Sequence, residues 1–332
     1  MESSDCMSKN STPMSGIFGG PSQKIHPPQT LDTTGAFSRS GADEHHVEAD
    51  QSPQKNATAD IRHGESNADY HADEAYRSCS RVKTLLDSPL LYHQRYIAKS
   101  LPPFTSSAME LGTLLHSWME LGDTFLETLV APPSEMLTDT GLVGKKAQTW
   151  AKDHVPEGST LVSPKQRSQI LAAVHAVLGN PAAVEELEQV TAHEVSVRWV
   201  SHDGHFLKCR YDAGTPTHWI DLKTTSEEDI EASFWSSVLK FKYHLQDAWY
   251  RRGMEACGME AAPLRFIVVS TSPTHDCQVV TLPDVVVAEG QRLMDNALAE
   301  LRVREDLDWW LRDSHGEVHE LPFPPHVLGR MQ

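Results

Sequence analysis

The runs Glu194-Val-Ser-Val-Arg-Trp-Val200 and His205-Phe-Leu-Lys-Cys-Arg-Tyr-Asp212, separated by Asp203-Gly204, carry the clearest strand signal in the chain. Apolar residues fall at every second position in both runs, as a half-buried strand requires. Asp-Gly between them tolerates positive φ and reads as the tight turn of a hairpin. A second turn over 214–217, containing Pro216, leads into a third run, 219–224, so the segment predicts a three-stranded antiparallel meander.

Outward from the meander, the pattern alternates between helix and strand. A helical stretch rich in aromatics covers 228–257, strands follow at 264–271 and 278–282, and a last helix runs from 284 to 312. Upstream, Ser78 or Ser80 caps one helix and Ser88-Pro89 restarts a second. Ser106 or Ser107 caps a third over 108–121; 131–169 reads as loop and helical segment, and 164–178 and 182–189 as helices. Helices, a meander, a helix and further strands predict an α/β or α+β domain, a mixed sheet with an antiparallel meander flanked by helices. Residues 1–75 are rich in Ser, Thr, Gly, Pro, His and Asp and show no sustained periodicity, so they read as a disordered low-complexity tract before a single domain over 76–332.

Composition excludes several classes. No stretch approaches the ~20 apolar residues of a membrane span, and the N-terminus lacks a basic-then-apolar signal, so a soluble, cytoplasmic protein without membrane partners is expected. The five cysteines, Cys6, Cys79, Cys209, Cys257 and Cys277, are scattered and never spaced Cys-x-x-Cys, which argues against a zinc ribbon, a disulfide framework and an iron-sulfur cluster. The net charge of −17 is concentrated at the ends: residues 1–75 carry −7, 284–320 carry −6, and the middle, 76–283, only −5, with Arg330 adding +1. A broad cationic coat for nucleic acid is excluded; a local channel is not.

The chemistry concentrates in Ile220-Asp221-Leu222-Lys223-Thr224-Thr225. Asp221 and Lys223 fall on one face of a strand, where neither type is buried unless it is paired or bound to a metal. Asp212 ends the preceding strand, and antiparallel neighbours place such carboxylates a few ångströms apart, where they repel unless a cation joins them. Spacing alone leaves two readings: a divalent-metal site, or a turn-capping Asp212 with a surface Asp221. Gly112 and His116 lie one turn apart on the third helix, so that the glycine could let the helix approach the sheet closely, and His116 is either a third ligand or a core histidine. Gln246 and Tyr250 are also one turn apart and could present an amide and a phenol to a phosphate or to Lys223.

Taken in order, Gly112-x-x-x-His116, Asp212, Asp221-x-Lys223 and Gln246-x-x-x-Tyr250 resemble the PD-(D/E)XK nuclease superfamily in its RecB-like branch. Within that branch the resemblance is to the phage- and prophage-type exodeoxyribonuclease VIII (RecE-like) catalytic domain. It is carried also by Ser80-Arg-Val-Lys-Thr-Leu-Leu-Asp-Ser-Pro89, Ala108-Met-Glu-Leu-Gly-Thr-Leu-Leu-His116, Lys208-Cys-Arg-Tyr-Asp212 and Tyr243-His-Leu-Gln246, and covers about residues 76–312. The resemblance implies a restriction-endonuclease-like core in which His116, Asp212, Asp221 and the Leu222 carbonyl bind Mg²⁺ or Mn²⁺. It implies that Lys223 assists the attacking water and that Gln246 and Tyr250 line the DNA-end site. Such enzymes degrade linear double-stranded DNA from 5′ ends, leave 3′ single strands for a single-strand annealing protein in recombination, and in some cases form homo-oligomeric rings. Asp221 stands where glutamate is commoner, and the iron-sulfur cysteines of other RecB-like nucleases are missing. An internally cutting endonuclease of the same fold, and a DNA-binding module without chemistry, are the competing expectations.

Overall fold

The structure, a computed structural model, describes residues 59–102, 106–141, 143–312, 315–318 and 320. The first part of the tract read as disordered, residues 1–58, lies outside the described residues. From the N-terminal side come β1 (Asp60–Arg62), α1 (Asn67–Ala72), β2 (Arg77–Ser78), α2 (Cys79–Asp87), α3 (Pro89–Tyr92), α4 (Ser107–Leu121) and α5 (Asp123–Thr128). Next are β3 (Leu129–Val130), α6 (Lys145–His154), β4 (Thr160–Leu161), α7 (Pro164–Leu178) and α8 (Pro181–Glu188). The central part holds β5 (Ala192–Val200), β6 (Phe206–Gly214), β7 (Trp219–Thr225), α9 (Ile230–Lys240), α10 (Tyr243–Ala256), β8 (Arg265–Ser270), β9 (Cys277–Val280) and α11 (Asp284–Leu307).

β5, β6 and β7 form the expected antiparallel meander at the centre of a seven-stranded mixed sheet ordered β1-β5-β6-β7-β8-β9, with β2 paired to β6. β8 lies parallel to β7, so the chain must cross back between them, and α9 and α10 make that crossover. Gly204 takes φ +83° in the hairpin turn, as its sequence demands. Ser106 caps α4 by accepting from the Met109 N–H, and Ser163 with Gln166 forms a capping box at α7.

The sheet separates two apolar cores. Val195, Val197, Cys209, Tyr211 and Trp219 pack with Leu245, Trp249 and Met254 of α10 and Leu298 of α11. Ala213, Ile220, Leu222, Ile267 and Val269 pack with Leu115 of α4 and Ile170 and Val174 of α7. Tyr211 and Ala213 are two residues apart yet face opposite cores, whereas in a regular strand they would share a face. The strand is therefore kinked at Asp212, and the facing strand is irregular at the same level, where Glu194 takes φ +49°.

Four expectations are corrected. Residues 59–75 are ordered: β1 pairs with β5, and Glu65 and Asp73 each approach the fully buried Arg198 guanidinium at 2.7 Å. Lys208 Nζ donates to the carbonyls of Tyr70 (2.5 Å) and Asp73 (2.6 Å). Two of the acidic residues that made this stretch look solvated, Glu65 and Asp73, are counter-ions for the buried Arg198. The helical stretch 228–257 is two helices, broken at Phe241 and Lys242, where Lys242 adopts φ +52°. The last helix stops at Leu307, because Asp308 turns left-handed at φ +48°. Gly112 does not serve close approach, since a Cβ there would meet nothing within 4 Å. The close approach lies instead at Gly290 of α11, where a Cβ would stand 2.1 Å from the His244 carbonyl oxygen of α10.

Candidate active site

β6 and β7 are paired only at Ala213–Ile220 and Gly214–Trp219, then diverge. The divergence frees the Leu222 N–H, which donates to Asp212 Oδ2 at 2.9 Å instead of to a ladder carbonyl. α4 packs over this gap and delivers His116, whose Nε2 lies 3.0 Å from the Leu222 carbonyl oxygen and 3.4 Å from Asp212 Oδ2. A histidine, a buried carboxylate and a backbone carbonyl thus converge. Glu194 joins them from β5: ligand atoms of His116, Glu194 and Asp212 all lie within 4.8 Å of one another.

Asp221 stands beside this cluster in a clamp of its own. It is 1 % exposed; its Oδ2 is ion-paired with Lys223 Nζ, and its Oδ1 accepts from Gln246 Nε2 at 2.6 Å. Gln246 is held in turn by Lys83 Nζ, which donates to its Oε1 at 3.1 Å. Lysine only donates, so it fixes the carboxamide with its NH₂ toward the carboxylate. Gln246 therefore meets Asp221, not Lys223. Tyr250 is placed further back: its hydroxyl donates to the Arg210 carbonyl at 2.8 Å and its ring meets Trp219 edge-on.

The electrostatics are those of crowded buried carboxylates. Burial pushes Asp212 above the usual aspartate value, and Asp221 adds to the shift while His116 opposes it. Burial pulls the His116 imidazole down, but the Asp212 carboxylate prevails and holds it above the ordinary histidine value. Glu194 is pushed up to about 7 by burial and by the Asp212 charge, against the pull of Arg210, whose Nε lies 2.8 Å from its Oε2. Burial works against the Lys223 charge, yet Asp221 and Asp212 keep its pKa well above the ordinary lysine value. Lys223 is thus an ammonium at any physiological pH.

One imidazole nitrogen, carboxylate oxygens and a backbone carbonyl form an oxygen-dominated donor set, which suits a hard divalent cation such as Mg²⁺ or Mn²⁺. Two buried carboxylates and a third with a raised pKa, close to one another, would be relieved by such a charge. The residues present therefore fit a divalent metal. Glu194 is the member that the motif spacing missed. The Asp203-Gly204 turn held the signal, since the hairpin register it sets carries Glu194 opposite Asp212.

Residues 78–314 match the family described as a PDDEXK-like domain of unknown function (DUF3799). The chain belongs to this family. A crystal structure of a candidate exonuclease from Eubacterium rectale is similar to this PDDEXK-like domain with a TM-score of 0.52 and 15 % identity, over 80 % of this chain and 97 % of that one. At that identity the likeness shows the fold. Scheffersomyces stipitis Rai1, solved with (3′-NADP)⁺ and calcium ion, gives a TM-score of only 0.20 at 7 % identity and carries no argument. No curated protein matches the sequence. The superfamily and the mixed-sheet α+β fold expected from the motifs are thereby established, and they support a nuclease with a candidate acidic metal site.

Proposed function

We propose that the protein is a metal-dependent exodeoxyribonuclease that degrades linear double-stranded DNA from 5′ ends and leaves 3′ single strands for recombination. The observation that carries the reading is the junction of β6 and β7, where Asp212, the Leu222 carbonyl and His116 converge beside the Asp221–Lys223 pair. His116, Asp212, Asp221 and the Leu222 carbonyl would hold Mg²⁺, with Mn²⁺ as a second choice, and Glu194 is close enough to complete the set. When bound, such an ion acts as a Lewis acid on the phosphate and makes a water molecule a better nucleophile at neutral pH.

The remaining roles belong to the chain. Lys223, held as an ammonium beside Asp221 and Asp212 in the metal-free chain, would orient the attacking water and offset negative charge that develops on the phosphate. Gln246 fixes the rotamer of Asp221 through its 2.6 Å bond, and Lys83 fixes Gln246. Tyr250 secures β6 against α10 through the Arg210 carbonyl. Groups held this way need no rearrangement at the moment of reaction, which is the source of electrostatic catalysis. The resemblance to the exodeoxyribonuclease VIII domain supports cytoplasmic action on DNA ends, partnership with a single-strand annealing protein and assembly into a homo-oligomeric ring.

The test uses linear duplex DNA labelled at either end, beside a covalently closed circle, in Mg²⁺ with and without chelator. Early loss of 5′ label, an intact circle and silence under chelator are expected. Cutting of the circle would replace the proposal with an internally acting nuclease.

A further inference from the structure

Tyr243 opens α10, and its ring is held from several sides. Phe234 and Phe241 stack on it with centroids 5.7 Å away, and Phe266 of β8 meets it at 5.8 Å. A buried tyrosine usually commits its hydroxyl to a hydrogen bond, yet the Tyr243 hydroxyl, on a residue only 9 % exposed, makes none among the described residues. What the ring faces instead is charge. Lys223 Nζ lies 5.3 Å from its centroid and Lys83 Nζ 5.4 Å, both inside the ~6 Å at which an aromatic face attracts an ammonium. The side chains close a circuit: Asp221 pairs with Lys223, Lys223 and Lys83 share the ring, Lys83 donates to Gln246, and Gln246 donates back to Asp221. Tyr243 is the one member of this circuit to which the reaction above gives no task.

We propose that Tyr243 is a positioning residue, whose ring face keeps Lys223 at the reacting phosphate once a divalent cation has taken Asp221. The proposal rests on the metal-dependent reading above and adds to it the group that succeeds Asp221 as the partner of Lys223. In the metal-free chain Lys223 and Gln246 engage one oxygen each of Asp221. An ammonium in contact with a carboxylate repels a dication that seeks the same group, so Lys223 has to loosen its hold as the cation enters. Asp221 is its ion-pair partner among the described residues, and a long, flexible side chain that loses such a partner regains its rotamer freedom unless another group holds it. A second carboxylate would cancel the charge that the phosphate needs. The ring attracts the ammonium through its quadrupole, carries no charge, and leaves the N–H groups free for water and phosphate. While Asp221 matches the charge of Lys223, the ring adds little; its weight grows when that pair opens inside the buried site.

The test grades the ring while keeping its shape. The full chain carries Tyr243→Phe, then mono-, di- and trifluorinated phenylalanine at the same position, each fluorine drawing negative charge from the ring face. Mn²⁺ binding without DNA, followed by electron paramagnetic resonance, is read beside the rate of hydrolysis of linear duplex DNA. Fluorination is expected to weaken Mn²⁺ binding step by step, because Lys223 then clings to Asp221, and to slow the rate in the same order. The fall over the series should be roughly tenfold or more, the scale of a desolvated cation–π contact. Melting temperatures in EDTA should stay together, since the metal-free pair is matched by Asp221. Tyr243→Phe, which keeps the ring, should retain more of both properties than Tyr243→Leu, and in a Lys223→Met background the Mn²⁺ series should be flat. A flat series in the parent background, a Tyr243→Phe protein no better than Tyr243→Leu, or a series as steep with Lys223→Met as without it would overturn the proposal. Should the parent bind Mn²⁺ yet leave every DNA end intact, the nuclease reading fails and the binding series still decides the ring. A parent that binds no Mn²⁺ would overturn the proposal together with the metal site.

Discussion

Replacing Lys223 with methionine tests whether the buried pair at the site is held together as described. The ammonium faces Asp221 Oδ2, and Asp221 is 1 % exposed with Asp212 nearby, itself 8 % exposed. Lys223→Met keeps the side-chain length but leaves a buried carboxylate with Gln246 as its remaining donor. Removing one partner of a buried pair costs about 3–5 kcal/mol, since the other charge stays desolvated and uncompensated. For a domain of this size each kcal/mol lowers Tm by about 2–4 °C, so the variant should melt roughly 6–20 °C below the parent in metal-free buffer near neutral pH. Asp221→Asn in the same chain should recover most of the loss, because the double variant buries no unpaired charge. At a pH low enough to protonate carboxylates the parent and the single variant should converge. Thermal unfolding followed by circular dichroism, in EDTA, reads all three. A Lys223→Met protein as stable as the parent, or a double variant no better than the single one, would refute the argument.

Glu194 gives a prediction in pH. With its pKa raised from 4.5 to about 7, the folded chain holds a proton that the unfolded chain releases. Metal-free stability should therefore fall as pH rises from about 4.5 to about 7, by roughly 1.5–3 kcal/mol, and Glu194→Gln should remove that fall; denaturant titrations across the range would show an unchanged slope if the assignment is wrong. Truncation that removes residues up to 75 deprives the buried Arg198 of both Glu65 and Asp73, so it should cost about 3–5 kcal/mol and yield poorly soluble protein, in contrast to removal of residues 1–58. Urea denaturation of the two truncated chains distinguishes them. Gly290→Ala drives a Cβ against the His244 backbone and should destabilise by about 1–3 kcal/mol or more, visible as a lowered urea midpoint, whereas Gly112→Ala should be neutral or slightly stabilising.

What the sequence made legible was local. The meander could be read because its alternation, its Asp-Gly turn and its flanking caps all act over a few residues, and Asp221-x-Lys223 could be read because strand periodicity puts both on one face. His116 and Asp212 followed from the same periodicities. Glu194 was half hidden: the hairpin register puts it level with Asp212, but its reach into the cluster depends on a paired irregularity, its own positive φ and the kink at Asp212, which no run of residue types announces. The 59–75 segment was hidden for another reason: its carboxylates look like solvated filler until Arg198 and Lys208, well over a hundred residues away, are seen beneath them. Gly112 misled because a glycine one turn from a histidine suggests close packing, and the close contact is at Gly290 instead.

The most direct test of the central claim is the release of nucleotides from linear duplex DNA in Mg²⁺ by the parent chain and by Asp221→Ala, each checked for folding by circular dichroism. The account predicts that the parent degrades the DNA and that the folded variant is slower by ~10²-fold or more, the scale of losing one preorganised electrostatic group. A folded Asp221→Ala protein that degrades DNA as fast as the parent would contradict it.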